Sequence, residues 1–476
     1  MLHAPNDLEK SAHREPPKSH FRRLRLRAVS SPLFRPRNRL LELTPLSHPH
    51  TLQPTVADLI EDVKTAFHQD DAPRVRQLLH RHPQLRELVN QPLFAFNSFA
   101  IHHVRSRAML DVLLEAGADI NARSRWWAGG FGLLDFAEPD LAAYAISRGA
   151  TLDAHAAARL DMLDRLQELI AANPDRVHAP GGDGQTPLHF AATVPVAQFL
   201  LDHGAQIDAL DVDHESTPAQ YMLRNRQDVA RHLVDRGCRT DLLMVAALGD
   251  LERTRQHLDA DPDSIHISVS PEWFPMNNPR AGGAIYLWTI GSNLTPHRVA
   301  KSAGHTDVFD LLMRRSPIEV KLAQACELGD EQTFNTLLAS RPDFVRNLSE
   351  ADRRKLVNAV QDRNHPAVRL MLAAGWPIDA RGQHQATALH WAAWHGDAEL
   401  VRELLRHHPP LEDTKNDFNG TPLGWAIHGS QNGWYRKTGD YAGTVDLLCA
   451  AGAKLPAELS GTDTVRQILE RYAKRS

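Results

Sequence analysis

Apolar and polar positions recur in a fixed order along this chain from about residue 57 onward. The clearest copy reads Gln-Thr-Pro-Leu-His-Phe-Ala-Ala at 185–192, continues with Phe-Leu-Leu at 199–201, and ends with Gly-Ala-Gln-Ile-Asp-Ala at 204–209. A second copy starts at Ala386 and a third at Gly420. Each copy carries a Thr that can cap a helix. In the first and third copies a Pro follows, and in the first helical position it loses no hydrogen bond. The pattern therefore predicts a helix start in every copy.

These residues closely resemble the ankyrin repeat family, whose unit of about 33 residues carries a Thr-Pro-Leu-His core. The resemblance implies two antiparallel helices and a hairpin-like loop in each unit, with the units stacked side by side. It predicts an all-α fold, a solenoid of about twelve helix-turn-helix units over residues 55–455. The predicted units start near residues 57, 96, 131, 155, 184, 215, 240, 293, 318, 353, 385 and 419.

The two ends of the chain differ from the repeats. Residues 1–54 contain ten Lys and Arg, four Asp and Glu, and frequent prolines. Such a segment buries too little apolar surface to fold, so we expect a disordered basic tail. A contact with an anionic surface and a transit peptide are the alternatives for it. At the other end, Val465, Ile468 and Leu469 share one helical face, which predicts a capping helix within 456–476.

One predicted unit is interrupted by an insertion at 268–293. It contains the aromatic residues Trp273, Phe274, Tyr286 and Trp288. Alternation over 285–288 favours a protruding β-hairpin. If the hairpin protrudes, Trp273 and Trp288 belong to an aromatic binding finger. The alternative is that these aromatic side chains fold back on the array, because exposed aromatic side chains are costly.

The final unit carries a second insertion, at 428–444. Glycines here alternate with aromatic and charged residues, which indicates a compact loop of specific shape. Residues 420–448 look like a recurrent subtype of bacterial ankyrin protein to which no activity is assigned.

In ankyrin proteins that bind other proteins, the two positions before the glycine that ends the first helix line the concave face. Those positions correspond here to Trp394 with His395, and to His428 with Gly429. We therefore expect one partner-binding groove in this region. Its predicted contact residues are Trp394, His395, His428, Trp434, Tyr435 and Tyr441.

Signals for catalysis, cofactors and metals are weak. His189 and His390 occupy the Thr-Pro-Leu-His position, where a histidine ties neighbouring turns together, so we expect a structural role. The sequence contains no His-Glu-x-x-His, Gly-x-Ser-x-Gly or phosphate-binding glycine loop. We therefore predict no catalytic residue, no cofactor and no metal site. The three cysteines are far apart in sequence, which argues against a disulfide framework and favours a reducing compartment.

Composition narrows the class of partner. The chain of 476 residues has a formal net charge of −4, and 42% of its residues are apolar. This balance gives no reason to expect a nucleic acid, and no apolar run is long enough for a membrane helix. We predict a cytoplasmic, non-catalytic, monomeric scaffold that binds a protein through its concave face and hairpin tips. The alternatives are a small-molecule or enzymatic site built from His428, Trp434, Tyr435, Asp440 and Tyr441, and a secreted effector acting on host proteins.

Overall fold

The computed structural model describes residues 56–474, and within this range the regular structure is helical. In the described residues no strand forms, and only two isolated β-bridges occur, Phe94 with Ser98 and Arg381 with Thr387. The predicted all-α fold is therefore confirmed. The predicted tail, 1–54, lies outside the described residues.

The chain divides into two compact units. The described part of the first comprises residues 56–126 and 136–150. Its helices are α1 (Val56–His68), α2 (Ala72–Arg81), α3 (Arg107–Glu115) and α4 (Pro139–Ser147). Where a repeat is predicted to begin near residue 96, the backbone turns left-handed at Phe96 and Asn97, and only a 3-10 turn, Ala100–His103, follows. This copy therefore lacks a full first helix.

The second unit comprises residues 127–135 and the chain from Thr151 onward. Its helices are α5 (Ala154–Arg159), α6 (Leu163–Ala172), α7 (Pro187–Phe190), α8 (Val194–Asp202), α9 (Pro218–Met222), α10 (Gln227–Asp235), α11 (Leu242–Leu248), α12 (Leu251–Ala260), α13 (Tyr286–Thr289), α14 (Pro296–Ser302), α15 (Thr306–Arg315), α16 (Ile318–Glu327), α17 (Glu331–Ser340), α18 (Glu350–Gln361), α19 (His365–Ala373), α20 (Ala388–His395), α21 (Ala398–Leu405), α22 (Pro422–Asn432), α23 (Tyr441–Ala450) and α24 (Asp463–Ala473). Apart from α13 and α24, these helices follow one another as pairs.

Two of these helices, α20 and α22, start after a capping Thr, as the repeat pattern predicts. Thr421 Oγ1 accepts a hydrogen bond from Gly424 N at 3.1 Å, and Pro422 is the first residue of α22. Thr387 caps α20 together with His390, whose Nδ1 accepts from Thr387 N at 3.3 Å. Each start thus satisfies backbone N–H groups that a helix leaves unpaired.

Neighbouring pairs bury their apolar residues against one another. The helices α20 and α22 pack side by side, as do α21 and α23. Leu389, Leu400 and Leu404 are buried in this core with Leu423 and Leu448. In repeat proteins each unit packs on its neighbours, so the stability of one helix pair depends on the pairs beside it.

The chain closes with α24, which lies inside the predicted capping segment. Val465 and Leu469 are buried and belong to the same core as α22 and α23. The charged residues Arg466 and Glu470 lie on its exposed side. A role for α24 as a cap of the array stays a prediction.

None of the helices between residues 56 and 474 has the length and apolar composition needed to span a lipid bilayer.

Candidate functional site

The last two complete helix pairs place several aromatic rings in continuous contact. Trp391 and Trp394 lie on α20, and Trp425 and His428 lie on α22. Trp394 stacks on His428, with ring centroids 5.8 Å apart and an interplanar angle of 24°. Trp425 meets Trp391 edge to face at 5.5 Å. The spacing of about one helical turn within each helix puts both of its aromatic residues toward the neighbouring helix.

The loop between α22 and α23 adds a further tryptophan to this group. Trp434 is 55% exposed, and its ring stacks over Trp391 at 5.9 Å and 25°. The same ring meets Trp394 edge to face at 6.3 Å. The structure thus brings together three residues that the sequence placed in one groove: Trp394, His428 and Trp434.

Phe418 extends the group and was missed in the sequence. It lies on the loop before α22, is 60% exposed, and meets Trp425 edge to face at 5.7 Å. An aromatic residue at a hairpin tip, one turn before a Thr-Pro helix start, is the signal that indicates it. We call the residues Trp394, Phe418, His428 and Trp434 the aromatic surface.

Two glycines fix the shape of the loop that carries Trp434. A Cβ atom on Gly433 would lie 2.5 Å from Gly429 O, and one on Gly439 would lie 2.5 Å from His395 O. Only glycine permits such close backbone approach. The loop ends where Asp440 N donates to Gly396 O at 2.8 Å. These contacts hold the loop against the end of α20.

His395 and Tyr441 lie beneath the loop, and the sequence prediction was wrong to make them contact residues. His395 is 1% exposed, and Tyr441 is also buried. The Tyr441 hydroxyl donates to Trp394 O at 2.8 Å, and burial raises its pKa to about 12. A partner cannot touch either side chain in this arrangement; both support the rings above them.

The ring of His395 is neutral because burial, aided by the nearby Arg363 guanidinium, lowers its pKa to about 4. Its two nitrogens have no hydrogen-bond partner among the described residues. Its neighbours are aromatic: Tyr435 lies edge to face at 5.2 Å and Trp434 at 5.8 Å. His395 therefore serves as an aromatic filler rather than as an acid or base.

Tyr435 is half-buried and lies between His395 and a cation. The Arg363 guanidinium lies over the Tyr435 ring at 4.7 Å and donates through Nε to Asp397 Oδ2 at 2.9 Å. Burial acts to raise the pKa of Asp397, but the hydrogen bonds from Leu400 N and Arg363 lower it overall. Asp397 is therefore an anion that holds Arg363 in place.

The residues of the alternative site for a small molecule or a reaction make other contacts in the structure. Asp440 caps α23 by accepting from Gly443 N at 2.7 Å. The hydroxyl of Ser430, beside His428 in sequence, donates to Ile427 O at 2.7 Å within its own helix. The His428 ring stacks on Trp394, and its Nδ1 lies 3.4 Å from Asn432 Nδ2. These residues do not form an acid–base pair or a nucleophilic dyad.

The predicted structural role of the Thr-Pro-Leu-His histidines is confirmed. His390 is fully buried, and its Nε2 lies 3.0 Å from both Asp413 O and Gly420 O. His189 Nε2 lies 3.2 Å from Ser216 O, and burial lowers its pKa to about 4. Each neutral ring joins its helix to the next hairpin loop.

The insertion at 268–293 differs from its predicted form. Residues Tyr286–Thr289 form a helical turn, α13, so the expected β-hairpin is wrong. Tyr286 is completely buried and its hydroxyl donates to Asp241 Oδ2 at 2.7 Å, which pulls the segment inward. Phe274 packs edge to face on Tyr286 at 5.1 Å. The fold-back alternative holds for these two rings, whereas Trp273 and Trp288 are 39% and 44% exposed.

The segment is also fixed through its backbone. The Glu215 carboxylate accepts hydrogen bonds from Asn277 N at 3.0 Å and Asn278 N at 2.8 Å. Ile285 N donates to Ser216 Oγ at 3.1 Å. The exposed Trp273 and Trp288 are therefore presented by a segment that is bonded to the loop before α9.

One group of residues has the composition of a metal site. Asp183, Asp213 and His214 each offer a ligand atom, and these atoms lie within 4.8 Å of one another. Sequence reasoning missed this group because its members sit on two different hairpin loops and match no metal-binding motif.

Comparisons with known proteins identify the repeats of this chain as ankyrin repeats. A family model of ankyrin repeats matches the chain three times, at residues 154–244, 322–415 and 356–454. The chain is also similar to the Palmitoyltransferase Hip14 of Drosophila melanogaster, with 27% identity over 124 residues. That match covers 26% of this chain and only 18% of the relative.

Proposed function

Since this chain is an ankyrin-repeat protein, we propose that it is a scaffold that binds a partner protein through the aromatic surface. Ankyrin repeats mediate protein–protein interaction, and the family match spans the helices that carry Trp394 and His428. The observation that carries the proposal is the exposure of Trp434 and Phe418 at the ends of a continuous set of ring contacts. Exposed aromatic groups of this kind are typical of binding sites.

The arrangement favours a macromolecule over a small ligand. The exposed rings lie side by side on two helices and two loops, so they present a broad surface instead of enclosing a molecule. Trp supplies a large contact area with only two side-chain torsions to fix, which keeps the entropic cost of binding low. The loop around Trp434 is already held by Gly433, Gly439 and Tyr441. Little further ordering is therefore needed when a partner binds.

A non-catalytic role is part of the same proposal. It is supported by the engagement of Asp440 and Ser430 in local backbone hydrogen bonds, which leaves them without a catalytic partner in the described site. The similarity to a palmitoyltransferase covers too little of that enzyme to carry its activity over.

Trp273 and Trp288 are proposed as a second contact region for a protein partner. Both are exposed, and Trp288 O accepts a hydrogen bond from Arg224 at 3.4 Å. The segment is bonded to Glu215 and Ser216, so its tryptophans are presented in a fixed position.

We place the protein in the cytoplasm. All three cysteines, Cys238, Cys326 and Cys449, are buried and free. Burial raises the pKa of Cys238 to about 12 and of Cys449 to about 11, so neither is a reactive thiolate. Free cysteines are the expected state in a reducing compartment.

Affinity purification with mass spectrometry tests the proposal. Wild-type protein is compared with a Trp394→Ala/Trp434→Ala double variant, with Trp434→Ala alone, and with Leu210→Ala as a control at another exposed apolar residue. We expect a specific protein to be recovered with wild type and Leu210→Ala and to be lost with both tryptophan variants. Recovery of the same proteins by all four forms, or loss of a bound metabolite instead of a protein, would contradict the proposal. Circular dichroism confirms that each variant is folded.

A further inference from the structure

Two successive hairpin loops of the second unit meet at a group of metal-ligating side chains. Asp183 belongs to the loop before α7, and Asp213 and His214 belong to the loop before α9. The loops are joined through their backbones, since Val212 N donates to Asp183 O at 2.7 Å and Asp213 N donates to the same oxygen at 3.3 Å. The position of the three side chains is therefore set by the packing of adjacent repeats.

The imidazole of His214 is oriented from outside the group. Its Nδ1 lies 2.7 Å from Gly283 O, an acceptor on the inserted segment, so Nδ1 carries the proton. The other nitrogen, Nε2, then has a free lone pair and is directed at Asp213. A backbone carbonyl that fixes the tautomer of a histidine is the usual support for a metal ligand.

The distance between His214 Nε2 and Asp213 Oδ2 distinguishes a hydrogen bond from two ligands of one ion. Nε2 of His214 and Oδ2 of Asp213 are 3.6 Å apart. A charge-assisted hydrogen bond between them would measure about 2.7–2.9 Å. Two ligands of one zinc ion, each bound at about 2.0–2.2 Å with a tetrahedral or wider angle, lie about 3.3–3.8 Å apart. The observed spacing fits two ligands of a common ion.

The charge and the burial of these side chains also favour a bound cation. The side chains of Asp213 and His214 are only 7% and 12% exposed. With Asp183, the group places two carboxylates within 4.8 Å of each other. Ionised carboxylates this close repel each other unless a positive charge lies among them. One imidazole nitrogen and two carboxylate oxygens form a ligand set that suits Zn²⁺ better than Ca²⁺ or Mg²⁺, which prefer oxygen alone.

We propose that Asp183, Asp213 and His214 form a divalent-cation site of the zinc type that joins two neighbouring hairpin loops. The site also supports the inserted segment, because Gly283 O holds His214 and Gly282 N donates to Asp213 Oδ1 at 3.2 Å. Its role is structural: it holds the segment that presents Trp273 and Trp288. The site goes beyond the proposed function and does not depend on it.

Zinc binding to matched variants tests the site. Asp213→Asn keeps an oxygen that can accept from Gly282 N but removes the charge. His214→Asn keeps an N–H at the position of Nδ1 and removes the ligating Nε2. His203→Asn is the control, because His203 is exposed and its Nδ1 contacts Phe199 O within its own helix. The four full-length proteins are stripped with a chelator and dialysed against Zn²⁺ in competition with a chromophoric chelator.

We expect wild type and His203→Asn to share one tight equivalent of Zn²⁺. Its affinity falls by at least about tenfold in Asp213→Asn and His214→Asn, since even the loss of a supporting hydrogen bond costs that much. All four proteins melt at the same temperature in the presence of chelator. Equal zinc affinity in all four proteins would overturn the proposal.

Hydrogen exchange on wild type alone gives a second, independent test. Zn²⁺ should slow exchange of the backbone amides at 211–216 and 282–285 by severalfold relative to the chelator-treated protein. If Zn²⁺ leaves exchange in both segments unchanged, the group is a histidine–carboxylate contact without a metal and the proposal is wrong. This measurement needs no variant and therefore decides the matter even if a substitution impairs folding.

Discussion

The Tyr441 hydroxyl donates to the carbonyl oxygen of Trp394 across 2.8 Å, so the first residue of α23 holds the end of α20. Between these two residues in sequence lies the whole of α22 and the loop that carries Trp434. The bond closes this loop against the body of the repeat, and it makes the position of the exposed rings depend on a buried tyrosine.

Removing that hydroxyl should loosen the loop. Tyr441→Phe leaves the buried carbonyl of Trp394 without its donor. We therefore expect the free energy of unfolding to fall by about 1–2 kcal/mol. Urea denaturation measures this change. The control is Tyr472→Phe. Tyr472 lies on the less buried α24, and its hydroxyl donates to Asp446 Oδ1 of α23 at 2.8 Å. Equal stability losses in the two variants would contradict a special role for the Tyr441 bond.

Two glycines close in sequence should respond to alanine in opposite directions. A methyl group on Gly439 would lie 2.5 Å from His395 O, so Gly439→Ala should destabilise the protein by about 1–3 kcal/mol. Gly424 lies inside α22, and a methyl group there meets nothing closer than Thr421 Oγ1 at 3.5 Å. Gly424→Ala should therefore stabilise the helix by up to about 1 kcal/mol. Thermal unfolding of both variants checks the signs; a stable Gly439→Ala would show that the loop is not tightly packed.

Buried neutral histidines should make the fold sensitive to acid. The pKa of His395 falls from 6.5 to about 4 on folding, chiefly through burial. Because the folded form binds this proton less readily than the unfolded form, its contribution to stability is complete above pH 6.5 and is lost as the pH falls toward 4. At pH 5 the free energy of unfolding should be lower than at pH 7 by about 2 kcal/mol from this one group.

His395→Phe tests this assignment. The ring nitrogens have no hydrogen-bond partner among the described residues, so Phe fills the same space without losing one. Urea denaturation at pH 7 and pH 5 should show a smaller loss of stability in the variant than in wild type. An identical loss in both proteins would mean that other groups, such as His189, account for the whole acid sensitivity.

The sequence predicts local features of this fold well because they are encoded by adjacent residues. Thr387 and His390 form their cap within one helical turn, so the repeat motif alone indicates their role. The repeat register also predicts that Trp394 and His428 face one groove, and their rings are in contact.

Features that depend on distant contacts could not be predicted in this way. The alternation over 285–288 indicates a strand, but the bonds from Ile285 to Ser216 and from Tyr286 to Asp241 favour a helical turn instead. Burial of His395 and Tyr441 depends on how the inserted loop closes over them, which no local pattern records. Asp183 and Asp213 meet only because two hairpin loops stack.

The affinity of the purified protein for its captured partner, measured by isothermal titration calorimetry, tests the role of the aromatic surface most directly. Trp434→Ala and Phe418→Ala are compared with Leu210→Ala, an exposed apolar residue outside the aromatic surface. We expect Trp434→Ala to weaken binding by about 2 kcal/mol or more, a factor of roughly 30 in Kd, with Phe418→Ala weakening it to a lesser extent. Leu210→Ala should bind as wild type does. Unchanged affinity in both aromatic variants, with their fold intact, would contradict the claim that this surface is the binding site.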